Sequence, residues 1–145
     1  MENKIDQFRA AMGNYPTGVT VVTAYNRAGE PIGLTVNSFA SVSLEPTLIL
    51  WSIDKGVSSY NDFMEVDHFA VNILAADQGN ICKTFAGRVE DRFGQVEWEK
   101  SALALPVLHD TLATLQCKVH NRVEAGDHTT MIGEVLDITN RDKKP

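Results

Sequence analysis

The stretch "GVTVVTAYNRAGEPIGLTV" (18–36) constrains the fold more than any other part of the chain. Two runs rich in β-branched residues flank "NRAGEP", which has turn chemistry. A link this short cannot carry a parallel crossover, which needs about a dozen residues or more. The two runs therefore read as an antiparallel β-hairpin. The same grammar recurs downstream. "TLILWSI" (47–53) is a short apolar run between Pro46 and Gly56 and reads as a buried strand. "HFAVNIL" (68–74) is another strand. "LQCKVHNR" (115–122) alternates, with Leu115, Cys117 and Val119 on one face and Gln116, Lys118, His120 and Arg122 on the other. That pattern is a half-buried antiparallel strand. "EAGD" turns the chain, and "HTTMIGEVLDI" (128–138) pairs back.

Helices are few and short. Ile5, Phe8 and Met12 share a helical face after Asn3, a capping residue, and Gly13 ends the segment. "SSYNDFMEV" (58–66) reads as a helix led by a serine cap, with Tyr60, Phe63 and Met64 on one face. "DQGNICKTFAG" (77–87) reads as a second, with Ile81 and Phe85 inward and Gly87 at its end. Residues 88–112 read as mostly irregular, anchored by Phe93, Trp98 and Pro106. About six strands in hairpins, without βαβ alternation, disfavour a parallel Rossmann sheet. A small antiparallel barrel, closed or partly closed, fits best. At 145 residues, positions 1–145 read as one domain.

Composition excludes several functions. The net charge is −6 and no lysine/arginine block occurs, which argues against nucleic acid as a partner. No apolar run is long enough to span a membrane, and "MENKIDQFRA" has no signal-like apolar core. A cytoplasmic location is expected. Cys82 and Cys117 lie in no CxxC or Cys/His cluster, so neither a zinc site nor any other metal is expected, and both read as reduced thiols.

No GxGxxG, Walker A, HExxH or GxSxG motif is present. The unusual stretch is "GLTVNSFASVS" (33–43), a strand that runs into a row of small hydroxyls. Such a segment can aim backbone N–H groups and hydroxyls at a planar ligand with a polar edge, or it can be a solvated β-turn. In "DKGVSS" (54–59), Lys55 precedes two serines at an expected helix start, a natural phosphate site or an ordinary serine cap. Lys83 and Thr84 are weaker candidates on the next helix. His128 follows "GD" at an expected hairpin tip. There it could act as acid or base, stack on an aromatic ligand, or have no role.

In order, "RAAMGNYPTGVTVVTA", "GLTVNSFASVSLEPTLILWSI", "FAVNILA", "KTFAGRVEDRFG" and "GDHTTMIGEV" resemble the flavin reductase family with the FMN-binding split-barrel fold. The resemblance spans nearly the whole chain. It implies a mainly β protein, an antiparallel Greek-key split barrel with a few short flanking helices. It implies FMN or FAD as cofactor, NADH or NADPH as substrate, and a homodimer with flavin sites near its interface. It implies Thr35, Val36, Asn37 and Ser38 beside the flavin ring or ribityl chain, and Ser41, Val42 and Ser43 on the next turn. Ser52, Ile53, Lys55, Ser58 and Ser59 match the region nearest the phosphate. Lys83, Thr84 and Phe85 match a second flavin-proximal segment, and His128 matches a histidine on the nicotinamide side. Family members commonly continue with a further strand, whereas this sequence ends in "NRDKKP".

The implied activity is that of an NAD(P)H:flavin oxidoreductase, one that supplies reduced flavin to a flavin-dependent monooxygenase. A flavin-bound electron-transfer protein and a non-catalytic FMN-binding module are the alternatives on the same fold.

Overall fold

A computed structural model describes residues 3–13, 19–36, 38–86 and 92–143. Its strands are β1 (Thr20–Tyr25), β2 (Pro31–Val36), β3 (Ala40–Leu44), β4 (Thr47–Asp54), β5 (His68–Ile73), β6 (Trp98–Lys100), β7 (Pro106–Leu108), β8 (Ala113–Ala125) and β9 (His128–Asn140). The helices are α1 (Lys4–Gly13), α2 (Tyr60–Phe63) and α3 (Gly79–Ala86), with a 3₁₀ turn at Arg92–Gln95.

Seven strands form one antiparallel sheet in the order β2-β1-β5-β8-β9-β4-β3. Its two edges, β2 and β3, are consecutive in the chain, because β2 ends at Val36 and β3 starts at Ala40. Laid flat, six inter-strand gaps would separate those edges by roughly 29 Å at about 4.8 Å per gap. The chain from residue 36 to 40 can reach at most about 14 Å. The sheet must therefore curl until its edges come close, which makes a barrel with a seam between β2 and β3.

Inside the barrel lies the main core. Trp51 stands edge-on to Phe63 (5.3 Å between ring centres) and Phe69 (5.7 Å), a favourable aromatic arrangement. Side chains alternate along β4, with Ile49, Trp51 and Ile53 inward. Gly133 on β9 gives this core room, since a Cβ there would come within 2.5 Å of the Phe69 ring. A second, smaller cluster of Val21, Leu74, Phe85, Phe93 and Leu108 packs outside the sheet. It explains why β1 is buried on both faces: Val22 and Ala24 face the barrel, while Val21 faces this outer layer.

Several sequence expectations need correction. The "irregular" segment 88–112 contains the 3₁₀ turn and a small β6–β7 hairpin. Its short strands lack a long β-branched run and were illegible by pattern. The helix expected over 58–66 shrinks to Tyr60–Phe63, and Ser59 makes no side-chain capping bond. α3 spans Gly79–Ala86, and the Gly87 stop lies outside the described residues. β8 is longer than expected and carries two bulges, which break its simple alternation. Gln116, assigned to the polar face, is buried because Ser101 donates its hydroxyl to Gln116 Oε1 at 2.5 Å. The 18–36 hairpin and the Asn3 cap are as expected, with the Asp6 N–H donating to Asn3 Oδ1 at 2.8 Å.

A buried amide ties the outer layer to the sheet. Asn72 Nδ2 donates to the Val21 carbonyl (2.9 Å) and to Thr23 Oγ1 (3.0 Å), while Asn72 Oδ1 accepts the Leu108 N–H (3.1 Å). Thr23 in turn donates to the Pro106 carbonyl at 2.6 Å. An Asn72→Leu variant keeps the branched shape but orphans the buried Leu108 N–H, so it should lose about 1–3 kcal/mol of stability. Urea unfolding checks this; a change below about 0.5 kcal/mol, the range of a neutral surface substitution, would contradict the role given to this amide.

Candidate functional site at the barrel seam

Three core residues among the expected flavin contacts have no side chain to offer. Val36, Ile53 and Phe85 are buried, the first two in the barrel core and Phe85 in the outer cluster. Phe85 packs against Gly33, where a Cβ would come within 2.5 Å of its ring, so this glycine is what lets α3 sit on β2. Strand alternation explains Val36 and Ile53; the helical face explains Phe85. Asn37 lies outside the described residues.

The hydroxyl row divides by what each oxygen already does. A hydroxyl carries one donor. Thr35 Oγ1 spends it on the Cys82 carbonyl (2.8 Å), fastening α3 to β2. Thr84 Oγ1 spends it on the Asn80 carbonyl (3.0 Å), within its own helix, and Lys83 beside it is exposed. Ser38 Oγ accepts the Ser52 N–H (2.8 Å) and donates to the Ser52 carbonyl (3.2 Å). That reciprocal latch fixes the chain at the seam against β4. Ser52 Oγ continues the line to Thr130 Oγ1 at 3.0 Å. Ser41, Ser43, Ser58 and Ser59, by contrast, have no hydrogen-bonded side-chain partner among the described residues.

The structure gathers the free hydroxyls into two places. Ser58 and Ser59 line a cleft of about 440 Å³ together with Glu30, Gly33, Asp62 and Arg92. Ser41, Val42 and Ser43 line a smaller one of about 340 Å³ with Phe8 and Arg9 of α1. Among the described residues β3 pairs only with β4, so one row of its backbone N–H and C=O groups faces outward at the seam. A bulge between Ser41 and Ser43 interrupts the strand there.

Lys55 is not brought to the Ser58–Ser59 cleft. Its N–H donates to the Asp127 carbonyl (3.0 Å), and its ammonium pairs with Glu124 Oε1 at 3.2 Å. The helix behind Ser59 is only four residues long, too short to present a useful dipole. The cation in the cleft is Arg92, which donates to the Gly33 carbonyl at 2.7 Å and whose pKa is lowered by desolvation. Sequence reasoning missed it because one arginine has no spacing to betray it.

His128 opens β9, paired with Asp54, at the tip of the β8–β9 hairpin. Asp127 Oδ1 lies 2.7 Å from its Nδ1. An ionised carboxylate only accepts, so Nδ1 carries the proton, and in the neutral ring Nε2 is left as an acceptor. The hydrogen bond from His128 is also the main reason that the Asp127 carboxyl titrates below its ordinary value. Thr130 lies on the same face as His128, while Thr129 and Met131 turn inward. Tyr60 of α2 reaches Thr129, hydroxyl to hydroxyl at 2.7 Å. The histidine hairpin and the serine-bearing turn before α2 are thus joined by Lys55, Glu124, Tyr60 and Thr129. Among the described residues no cluster of metal-binding side chains occurs, and no helix is long and apolar enough to cross a membrane.

Residues 12–145 match the model of the flavin reductase like domain. The chain is 46% identical over 137 residues to the reductase component of the flavin-dependent trigonelline monooxygenase of Acinetobacter baylyi, covering 94% of this chain and 44% of that protein. It is 47% identical over 138 residues to the FMN reductase (NADH) SmoA of Agrobacterium fabrum, covering 95% of this chain and 78% of the relative. The chain thus spans less than half of the first protein and about four-fifths of the second. Among solved structures, the NADH:FAD oxidoreductase SgcE6 of Streptomyces globisporus, in complex with NAD and FAD fragments, superposes with a TM-score of 0.81 at 37% identity, covering 95% of this chain and 83% of that one. The chain belongs to the flavin reductase-like family and has its antiparallel split-barrel fold.

Proposed function

We propose that this chain is an NAD(P)H:flavin oxidoreductase domain that passes hydride from reduced nicotinamide to FMN or FAD and serves a flavin-dependent monooxygenase. The observation that carries this reading is the seam: an open strand edge whose serines have no side-chain partner among the described residues, together with a cleft lined by Arg92, in a fold whose relative binds NAD and FAD fragments. Bound flavin supplies the hydride-accepting chemistry, and the protein supplies binding, orientation and electrostatics.

The chain's own residues divide that work. The Ser38–Ser52 latch holds the seam strand in place, so the backbone at Thr35 and Ser38 and the hydroxyls of Ser41 and Ser43 meet the polar ring edge. Such donors stabilise negative charge where it grows. Ser58 and Ser59 face the ribityl phosphate. Lys83 borders the site from α3. His128, its tautomer set by Asp127, offers Nε2 to the nicotinamide nucleotide. Free Cys82 and Cys117 suit a reducing, cytoplasmic setting.

The test is oxidation of NADH or NADPH followed at 340 nm with and without FMN or FAD. Turnover should appear only with flavin, and His128→Ala should raise the KM for the nicotinamide while leaving flavin affinity nearly unchanged. A protein that binds flavin yet oxidises neither nucleotide would be a binding module or an electron carrier instead.

The same reading includes a homodimer. Val42, Leu44, Val123 and Leu136 are apolar side chains left 36–46% exposed on strands β3, β8 and β9. A second copy would cover them and enclose the seam. Light scattering should give twice the 16.0 kDa chain mass; a mass near 16.0 kDa at micromolar concentration would refute it.

A further inference from the structure

The hairpin that carries His128 also carries Arg122, on β8 opposite Met131. Met131 is in the core, and cross-strand partners share a face, so Arg122 points inward as well. Simple alternation over 115–122 sets it on the polar row instead. The bulge between Val119 and Asn121 adds a residue and turns it. Nη2 of the partly buried guanidinium donates to the Phe63 carbonyl at 3.2 Å and to the Val66 carbonyl at 2.5 Å. Its Nε is buried with no hydrogen-bond partner among the described residues. An orphaned buried donor is destabilising, so packing alone would favour an apolar side chain here.

Phe63 closes α2, and Val66 lies in the turn that follows. A helix of four residues without a side-chain cap is not stable by itself. Arg122 supplies donors to the carbonyls that its end leaves open. The Phe63 N–H donates in turn to the Ser59 carbonyl at 3.1 Å, so one line runs from Arg122 through Phe63 to the serine turn. Residues 55–67 cross from β4 to β5 without strand pairing, which leaves such links to set their place. Three side-chain links join this crossing to the hairpin. Lys55 to Glu124 is an exposed ion pair and worth little. Tyr60 to Thr129 is one neutral bond at 2.7 Å. Arg122 makes two charge-assisted bonds from a partly buried cation, the strongest of the three.

We propose that Arg122 is a positioning residue for hydride transfer: by capping α2 from the hairpin, it holds the Ser58–Ser59 turn and His128 in one fixed relation. The inference rests on the reductase reading above and adds to it a residue that touches neither flavin nor nicotinamide. Hydride transfer demands close alignment, and a misplacement of about 1 Å can slow a reaction about a hundredfold. A residue that sets two binding surfaces relative to each other therefore acts on the rate of the hydride step more than on either affinity.

The experiment is a rapid-mixing measurement of flavin reduction, with protein in excess over FMN and NADH saturating. Deuterium at C4 of the nicotinamide identifies the phase that reports hydride transfer. The dissociation constant of FMN is measured alongside by fluorescence. Arg122→Met keeps an unbranched stem and removes the bonds to Phe63 and Val66. It should lower the rate constant of the deuterium-sensitive phase about tenfold and leave FMN affinity nearly unchanged. Arg122→Lys, a cation of shorter reach, should restore part of the rate. Tyr60→Phe, which removes only a hydroxyl, should slow the same phase by less. A merely structural role would lower the amplitude of that phase, the fraction of competent protein, and leave its rate constant alone; that result overturns the proposal. So does a loss of FMN affinity with the rate constant intact. Should Arg122→Met fold poorly by circular dichroism, wild-type rate constants in both Arg122→Lys and Tyr60→Phe overturn it. The wild-type protein keeps the two levels apart. If it reduces FMN while Arg122→Met matches its rate constant, the positioning role fails alone; if it reduces no flavin with NADH or NADPH, the reductase reading fails.

Discussion

The structure depends on one covalent constraint: the two edge strands of a seven-stranded sheet are joined by the short step from Val36 to Ala40. Strand spacing would hold the edges far apart in a flat sheet, and the chain cannot reach that far. Closure into a barrel is therefore enforced by connectivity, with hydrophobic burial around Trp51 filling the interior. The seam that remains is the place where backbone hydrogen-bonding groups are left unpaired. A fold that must keep an open edge has an obvious use for it, and small polar residues there leave the backbone accessible to a ligand.

The latch between Ser38 and Ser52 follows from the same constraint. Without it, the chain crossing the seam would have few ladder bonds to hold it. Two hydrogen bonds to a single residue of β4 substitute for strand pairing. The line continues through Ser52 to Thr130, on the strand that begins with His128. The seam segment and the histidine hairpin are therefore mechanically connected, and the turn carrying Ser58 and Ser59 joins them through Tyr60 and Thr129.

Much of this was legible in the sequence. The hairpin over 18–36, the buried strand at 47–53 and the long β8–β9 pair announced themselves through β-branching, turn residues and alternation. The hydroxyl row marked the seam. What the sequence could not display was which hydroxyls would be spent internally, because Thr35 and Ser38 find their partners, Cys82 and Ser52, at distant positions. Lys55 attracted attention by standing near Ser58 and Ser59 in the chain, yet folding turns it toward Glu124 and brings Arg92 instead. Val36, Ile53 and Phe85 belong to segments that the resemblance sets beside the cofactor, and strand or helix geometry turns their side chains into the core. The β6–β7 hairpin does not show in the sequence because its strands are three residues each and it is held by Asn72 and Thr23, polar residues on two other strands.

The central claim is that flavin binds across the seam. Amide hydrogen exchange with and without FMN tests it directly. The account predicts added protection in residues 38–43 and around Gly33, Ser58 and Ser59, with little change in the buried strand β5. Protection confined to the far side of the barrel, around Tyr25, Arg27 and His68, with none at the seam would contradict it.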